Sequence, residues 1–282
     1  MVEIPEADFY HLKLIFTIGG IRILTRKNRK AGGNLRELMI QNEAKRKREE
    51  FMLKHAREIA NEHGLHALTL PLLAERSGYS KPTVYKYFPT QEDLIVAMAT
   101  QSTAIRVSYY EKALRFQGRP REKLSVIGFL NFGPLHFYLR EILDVHVNRL
   151  NHKASPERQR ELYKNEKRVS EILIEIIREA VEIGDLTLRG DMDECQILII
   201  LQSITLGGYV LRESDSEVYE TWFDRNRLWP NDAGPILLDI FGWHPLSSEW
   251  DYRATRKRFY QEVFPELLSD VGGGERSAKN IS

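Results

Sequence analysis

The sequence predicts an all-α protein, with an N-terminal three-helix helix-turn-helix domain followed by a larger helical bundle. Three observations carry this. Apolar residues recur at three- and four-residue steps through most of the chain, the period of a helix with one buried side. Between Thr69 and Thr90 lies a close succession of helix starts and stops, with Thr69, Ser80 and Thr90 opening segments and Gly78 and Pro89 closing them. Strand-like patterning is confined to one stretch near the N-terminus.

Taken in order, residues 1–38 form an extension to the folded part. Within it Leu14-Ile15-Phe16-Thr17-Ile18 and Ile21-Arg22-Ile23-Leu24 read as two short strands about a Gly19-Gly20 turn, a pair that alone would be marginal. Arg22, Arg26, Lys27, Arg29 and Lys30 overlap or follow it, and Gly32-Gly33 is expected to break the chain. Three readings stand: a flexible extension, a basic arm that touches a polyanion, or a preface to a working protein that begins at Met39.

From about Glu43 to His63 the residues favour a helix, with Met52, Ala56, Ile59, Ala60 and His63 on one side and Gly64 as a left-handed stop. Its first turns carry Lys45-Arg46-Lys47-Arg48, the wrong sign for a helix N-terminus, so either phosphate contact or a plain solvated face accounts for them. Thr69 caps a second helix with Pro71 in its first turn and Leu72, Leu73 and Ala74 on its apolar side; Ser77-Gly78 ends it. Ser80 caps the next, Lys81 to Phe88, which Pro89 closes. Thr90 with Asp93 resembles a capping box, with Asp for the usual Glu or Gln, and opens a longer helix.

The remainder reads as helices at Gln91–Phe116, Arg121–Asn151 with a break at Gly133-Pro134, Pro156–Gly184, Met192–Arg212 and Tyr252–Leu268. The interval Ser214–Trp250 differs: Pro230, Pro235, Pro245 and all four tryptophans (Trp222, Trp229, Trp243, Trp250) suggest short helical pieces in a packed connection. The domain division that follows is an extension (1–38), a helix-turn-helix domain (39–92), a larger helical bundle (93–270) and a disordered tail (271–282).

Composition bounds the function. The chain has 282 residues, 42% hydrophobic and 29% charged, inside the globular range. Its single cysteine, Cys195, cannot form an intrachain disulfide and fits a reducing cytoplasm. The apolar run Leu12–Leu24 is shorter than the roughly 20 residues of a membrane span and contains Lys13 and Arg22, so no membrane partner is expected. The net charge of +1 is segregated: residues 1–90 hold 16 Lys+Arg and 10 Asp+Glu (16 − 10 = +6), the remainder 25 and 30 (25 − 30 = −5). A basic front suits a polyanionic partner. No Gly-rich phosphate loop follows a strand, His136, His146 and His152 lack metal-ligand spacing, and Cys195 has no neighbouring base, so neither an enzyme, a cofactor nor a metal site is expected.

The helix Lys81 to Phe88 carries the functional signal. About 12 Å long, it is too short to stand alone and must be held by packing. Val84 and Phe88, four apart, supply the inward stripe. Lys81, Pro82, Tyr85 and Lys86 then point outward, with Thr83 and Tyr87 on the flanks. Ammonium and hydroxyl groups suit phosphate oxygens and base edges, and the faces of Pro82 and Tyr85 suit thymine methyls.

The run from Met52-Leu53 through Ala56, Ile59-Ala60, His63-Gly64, Thr69, Leu73-Ala74 and Ser77-Gly78-Tyr79-Ser80-Lys81-Pro82-Thr83-Val84-Tyr85-Lys86-Tyr87-Phe88-Pro89-Thr90 resembles the DNA-binding domain of the TetR family of bacterial regulators. A looser second likeness spans Ile177-Arg178-Glu179-Ala180, Gly184-Asp185-Leu186, Asp191 and an apolar helix ending near Gly207-Gly208. The resemblance implies a homodimer on a palindromic double-stranded operator, usually a repressor released by a small-molecule effector. It also implies that Thr83, Tyr85, Lys86 and Tyr87 meet phosphates and bases, and that Thr69 and Ser80 are caps at the interface. Gln91, where many members have a phosphate-contacting lysine, and Pro71, where some have a polar residue, depart from the pattern.

In the second half, the helix from Cys195 to Val210 is apolar on nearly all sides and needs cover from its own domain and from something else, for which a second subunit or a central position in one core both serve. Tyr252–Leu268 is the other candidate interface helix. The kink at Gly133-Pro134, with Asn131, Phe132, His136 and Phe137 around it, is the candidate ligand wall. Control by a protein partner instead of a ligand is the alternative.

Overall fold

The computed structural model describes residues 26–132, 134–213 and 233–265. The expected hairpin near Gly19-Gly20, Trp222, Trp229 and the C-terminal tail lie outside them. Contacts divide the chain into Met1–Met52 and Leu53–Ser282. Among the described residues all regular structure is helical: α1 (Arg26–His63), α2 (Leu70–Ser77), α3 (Lys81–Tyr87), α4 (Gln91–Ala113), α5 (Pro120–Phe132), α6 (His136–Val147), α7 (Pro156–Glu182), α8 (Glu194–Glu213), α9 (Ala233–Asp239) and α10 (Tyr252–Val263).

The expected break at Gly32-Gly33 does not occur, because α1 is helical from Arg26 instead of from Glu43. Two glycines cost about 1 kcal/mol each against alanine, and the Arg, Lys, Leu and Glu residues on either side are good helix formers that offset it. In the first unit, residues 39–48 are exposed throughout. In the second, Leu53, Ala56 and Ile59 are buried, in step with the three- and four-residue spacing read from the sequence.

The bundle is built around α4, which packs along α6 and α7, with α5 against α7 and α10. Asp93 to Ala99 is an unbroken buried run on α4, so this helix is covered on every side over two turns. The core of the bundle gathers Tyr110, Phe116, Leu130, Ile176, Trp243 and Phe259, with Phe116 and Phe259 edge to face at 5.5 Å between ring centres. α10 ends at Val263 rather than running to Leu268. Phe264 takes φ −136° and ψ 59° because Pro265 disfavours a helical residue before it. α6 stops at Val147, short of Asn151, as Arg149 adopts a left-handed conformation at φ 54°.

The predicted break between α5 and α6 is present. In the Ser214–Trp250 interval the described part is the short helix α9 followed by turns; Trp243 is fully buried there, and the Trp250 indole donates to Thr255 Oγ1 at 3.0 Å. α8 is half-covered. Ile197 and Leu198 are buried while Ile199 is 62% and Val210 53% exposed. By length and composition alone Glu194–Leu211 could cross a membrane, with mean hydropathy 1.4.

Candidate nucleic-acid interface

The interface is assembled from two capped short helices and the turn between them. Thr69, extended at φ −117° and ψ 154°, accepts the Leu72 N–H at 3.3 Å and so starts α2 ahead of Pro71, whose missing N–H costs nothing there. Gly78 ends α2 in the left-handed region at φ 71° and ψ 9°. Ser80 then accepts the Thr83 N–H at 3.4 Å, and its hydroxyl lies 2.8 Å from that of Thr83. Gly64, expected to be left-handed, has φ 81° but an extended ψ of 161°, a conformation open essentially to glycine alone.

α3 divides its residues between anchoring and display. Val84 and Phe88 are fully buried, and the Phe88 N–H closes on the Val84 carbonyl at 2.9 Å. Lys81, Pro82, Tyr85 and Lys86 are exposed and Thr83 and Tyr87 half-buried. Tyr85 is 46% exposed. A shallow groove of about 480 Å³ opens between α2 and α3, bringing Thr69 and Lys81 together with Pro71, Leu72, Glu75 and Tyr79.

Sequence reasoning missed the supports of this platform. Arg158, in the first turn of α7, donates to the Tyr87 carbonyl at 3.4 Å and lies over the Phe88 ring, 5.6 Å from its centre. It sets a cation at the C-terminal end of α3, where the helix dipole favours one. The Asp93 N–H donates to the Thr90 hydroxyl oxygen at 3.1 Å, while the Asp93 carboxylate accepts the Thr90 hydroxyl at 3.0 Å and the Ser155 N–H at 2.8 Å, joining the start of α4 to the start of α7. Burial pushes its carboxyl up, but the bonds from Ser155 and Thr90 together outweigh this and hold it below the usual range. Gln91, the departure from the family pattern, is half-buried in the first turn of α4.

Three of the four ligand-wall candidates have described side chains. Asn131 is inside the core, its side-chain oxygen accepting the Tyr110 hydroxyl at 2.7 Å; Arg106 donates to that same hydroxyl at 2.9 Å. His136 tilts against Tyr209 at 5.0 Å between rings, whereas Phe137 is 38% exposed, edge to face with Tyr138. The Phe132 side chain lies outside the described residues. As consecutive residues of one helix, 136 and 137 point about 100° apart, while Asn131 joins a polar chain at the end of α5.

Residues 52–98 match the family described as bacterial regulatory proteins, tetR family. This segment carries the TetR-family DNA-binding signature. Of curated relatives, it is 31% identical over 108 residues to the HTH-type transcriptional activator FasR of Mycolicibacterium smegmatis, covering 38% of this chain and 48% of that one. It is 25% identical over 85 residues to the fatty acid metabolism regulator protein of Bacillus subtilis, covering 29% and 44%. The chain thus matches about half the length of these relatives. Among solved structures, a protein with unknown function from Rhodococcus sp. RHA1 has a similar fold, with a TM-score of 0.53, 18% identity, and coverage of 71% of this chain and 95% of that one. The TetR-family segment includes every residue of α2 and α3 and stops inside α4.

Proposed function

We propose that this chain is a dimeric transcriptional regulator that reads a palindromic double-stranded operator through α3 and responds to a small molecule. One observation carries the DNA reading: on α3, Lys81, Pro82, Tyr85 and Lys86 are displayed while Val84, in the same helix, and Phe88, at its end, are fully buried. A seven-residue helix held this way presents its outer side chains in a fixed geometry, as insertion into a major groove requires. Lys81 and Lys86 supply cations for phosphates or guanine edges, Tyr85 and Pro82 apolar faces for thymine methyls, and Thr69, Thr83 and Tyr87 hydroxyls at the rim. Thr69 and Ser80 act chiefly as caps that aim α2 and α3. Selecting bound duplex from a random pool with the full chain tests this. A palindrome is expected, and retention of that selectivity by Tyr85→Ala with Lys86→Ala would remove the assignment.

The open face of α8 supports the dimer. Ile199, Ile200 and Val210 are exposed on a helix whose other side, Ile197 and Leu198, is buried, and a second copy would cover them. Glycine at 207 has nothing within 4 Å of where a side chain would sit, leaving room for close approach. Sedimentation equilibrium should return a dimer for the native chain and a monomer for Ile199→Glu with Ile200→Glu; a native monomer at micromolar concentration rejects it.

The chain Arg106–Tyr110–Asn131, half-buried at its guanidinium and buried beyond it, supports an effector with an acidic or carbonyl end and an apolar body, since a partly desolvated guanidinium favours an acceptor-rich partner. The kinship with a fatty acid metabolism regulator puts fatty acids and their thioesters first among compounds to try. A ligand at 100 times its Kd adds about 2.7 kcal/mol to stability, a readily measured rise in melting temperature. A protein controlled by a partner chain would ignore the whole library. No enzymatic activity is proposed. As to sign, repression is the family's usual mode, while the Mycolicibacterium relative is named an activator; reporter output with and without the gene separates the two.

A further inference from the structure

We infer that the first part of α1, Arg26–Arg48, is a second DNA-contacting surface that grips backbone phosphates without reading sequence, in addition to the contacts of α3. This rests on the DNA-binding reading above. The segment holds nine Lys or Arg and two Glu (9 − 2 = +7) in 23 residues, about 34 Å of helix. The Lys45–Arg48 cluster lies midway along α1, beyond the first turn where the helix dipole acts, so the dipole does not account for it. Nothing in the helix itself is gained by that arrangement, whereas a polyanion laid along it neutralises both the side chains and their mutual repulsion.

Burial gives the second cluster no structural role: residues 41–48 are all exposed. Two ion pairs, Lys47 with Glu43 and Arg46 with Glu50, each 2.9 Å, leave both cations 67% exposed, so a phosphate can replace the carboxylate at little cost. Lys45-Arg46-Lys47-Arg48 are consecutive, and at about 100° per residue they ring most of the helix, so a phosphate meets a cation from nearly any side. The sequence places four more cations, Arg26, Lys27, Arg29 and Lys30, earlier in the same helix. An anionic membrane is the competing partner. A surface-bound helix needs an apolar stripe beside its cations, and between residues 39 and 48 the exposed large apolar residues are only Met39 and Ile40, which are adjacent and form no stripe.

The test uses the full chain and a mixed-sequence duplex, with affinity measured between about 50 and 200 mM salt. K45Q/R46Q/K47Q/R48Q and, separately, R26Q/K27Q/R29Q/K30Q should each lower the slope of log affinity against log salt by roughly two to four, at about 0.9 for each phosphate no longer neutralised, with a ten- to hundred-fold weaker affinity at the low-salt end. The charge-matched control R178Q/R189Q/R253Q/K257Q should leave the slope within about one of the native value. The inference is overturned if both basic variants keep the native slope, if the control loses as much as they do, or if the variants lose binding to phosphatidylserine vesicles while keeping the duplex. Failure of the native chain to bind any duplex overturns the DNA reading itself. Loss of operator preference in Tyr85→Ala with Lys86→Ala, alongside unchanged slopes in the basic variants, overturns this inference alone.

Discussion

Arg57 on α1 and Glu141 on α6 form a forked ion pair, Nε to Oε1 at 2.7 Å and Nη2 to Oε2 at 3.2 Å, 84 residues apart in the chain. Their side chains are 17% and 11% exposed. Arg57 also donates to Gln101 Oε1 at 2.6 Å and to the Met98 carbonyl at 3.2 Å on α4, and the Ser102 hydroxyl donates to Glu141. One guanidinium therefore ties the helix that precedes α2 to two helices of the bundle. Breaking such a pair leaves a charge without its partner, which costs far more than the pair contributes relative to an apolar replacement. Glu141→Gln should lower stability by about 2–3 kcal/mol, less than the roughly 3–5 of a fully buried pair because some solvent reaches it. Arg57→Met combined with Glu141→Leu should recover most of that loss. Urea midpoints at unchanged m decide; single variants as stable as the native chain would show the pair to be idle.

The two sides of α3 should separate cleanly in experiment. Phe88→Ala empties a fully buried site and removes the ring under Arg158, so a loss of about 3–5 kcal/mol is expected, with DNA binding lost through unfolding. Tyr85→Ala with Lys86→Ala touches exposed side chains and should stay within about 0.5 kcal/mol of native stability while abolishing operator selection. A large drop in melting temperature for the second variant would contradict the division.

Gly78 offers a test of backbone conformation alone. At φ 71°, with nothing within 4 Å of an added Cβ, Gly78→Ala meets no steric clash with neighbours, only the left-handed cost of about 1–2 kcal/mol. Gly78→Asn should lose less, since asparagine visits that region more readily. Equal stability of Ala, Asn and Gly at this position would mean that the turn relaxes.

His146 on α6 lies 2.5 Å from Glu166 on α7, and that hydrogen bond raises the imidazole above its ordinary 6.5 against the opposing pull of burial. A raised histidine contributes most when charged. Its stabilisation is therefore complete below about pH 6.5 and fades as pH rises through the raised value. With the side chain 42% exposed the effect is small. The native chain should exceed His146→Gln in stability at pH 6 and match it at pH 9; a gap that persists unchanged to pH 9 contradicts a charged pair.

Sequence alone reveals what neighbours in the chain decide. Thr69, Ser80 and Thr90 cap within three residues of themselves, and Val84 and Phe88 face inward by their four-residue spacing, so α2, α3 and the displayed residues are legible. Arg158 is not, because its partner Tyr87 is 71 residues away and no local pattern marks it. Arg57 is invisible for the same reason. The start of α1 escapes because two glycines look like a stop, whereas the helix formers around them carry the helix through. The surroundings of the break are not legible either: Gly133-Pro134 does not say which residues turn inward, and Phe137 is 38% exposed while Asn131 accepts the Tyr110 hydroxyl.

The unbroken burial of Asp93 to Ala99 bears on how this protein could be recombined with others. The TetR-family match ends at residue 98, inside α4, and the bonds from Arg57 to Gln101 and from Arg158 to the Tyr87 carbonyl cross any cut made at residue 92. A chimera that joins α2 and α3 to another bundle would have to carry α4 through Ser102 and the first turn of α7 with them. The transferable module is therefore larger than the segment that marks the family, and its natural seam runs along a helix instead of through a loop.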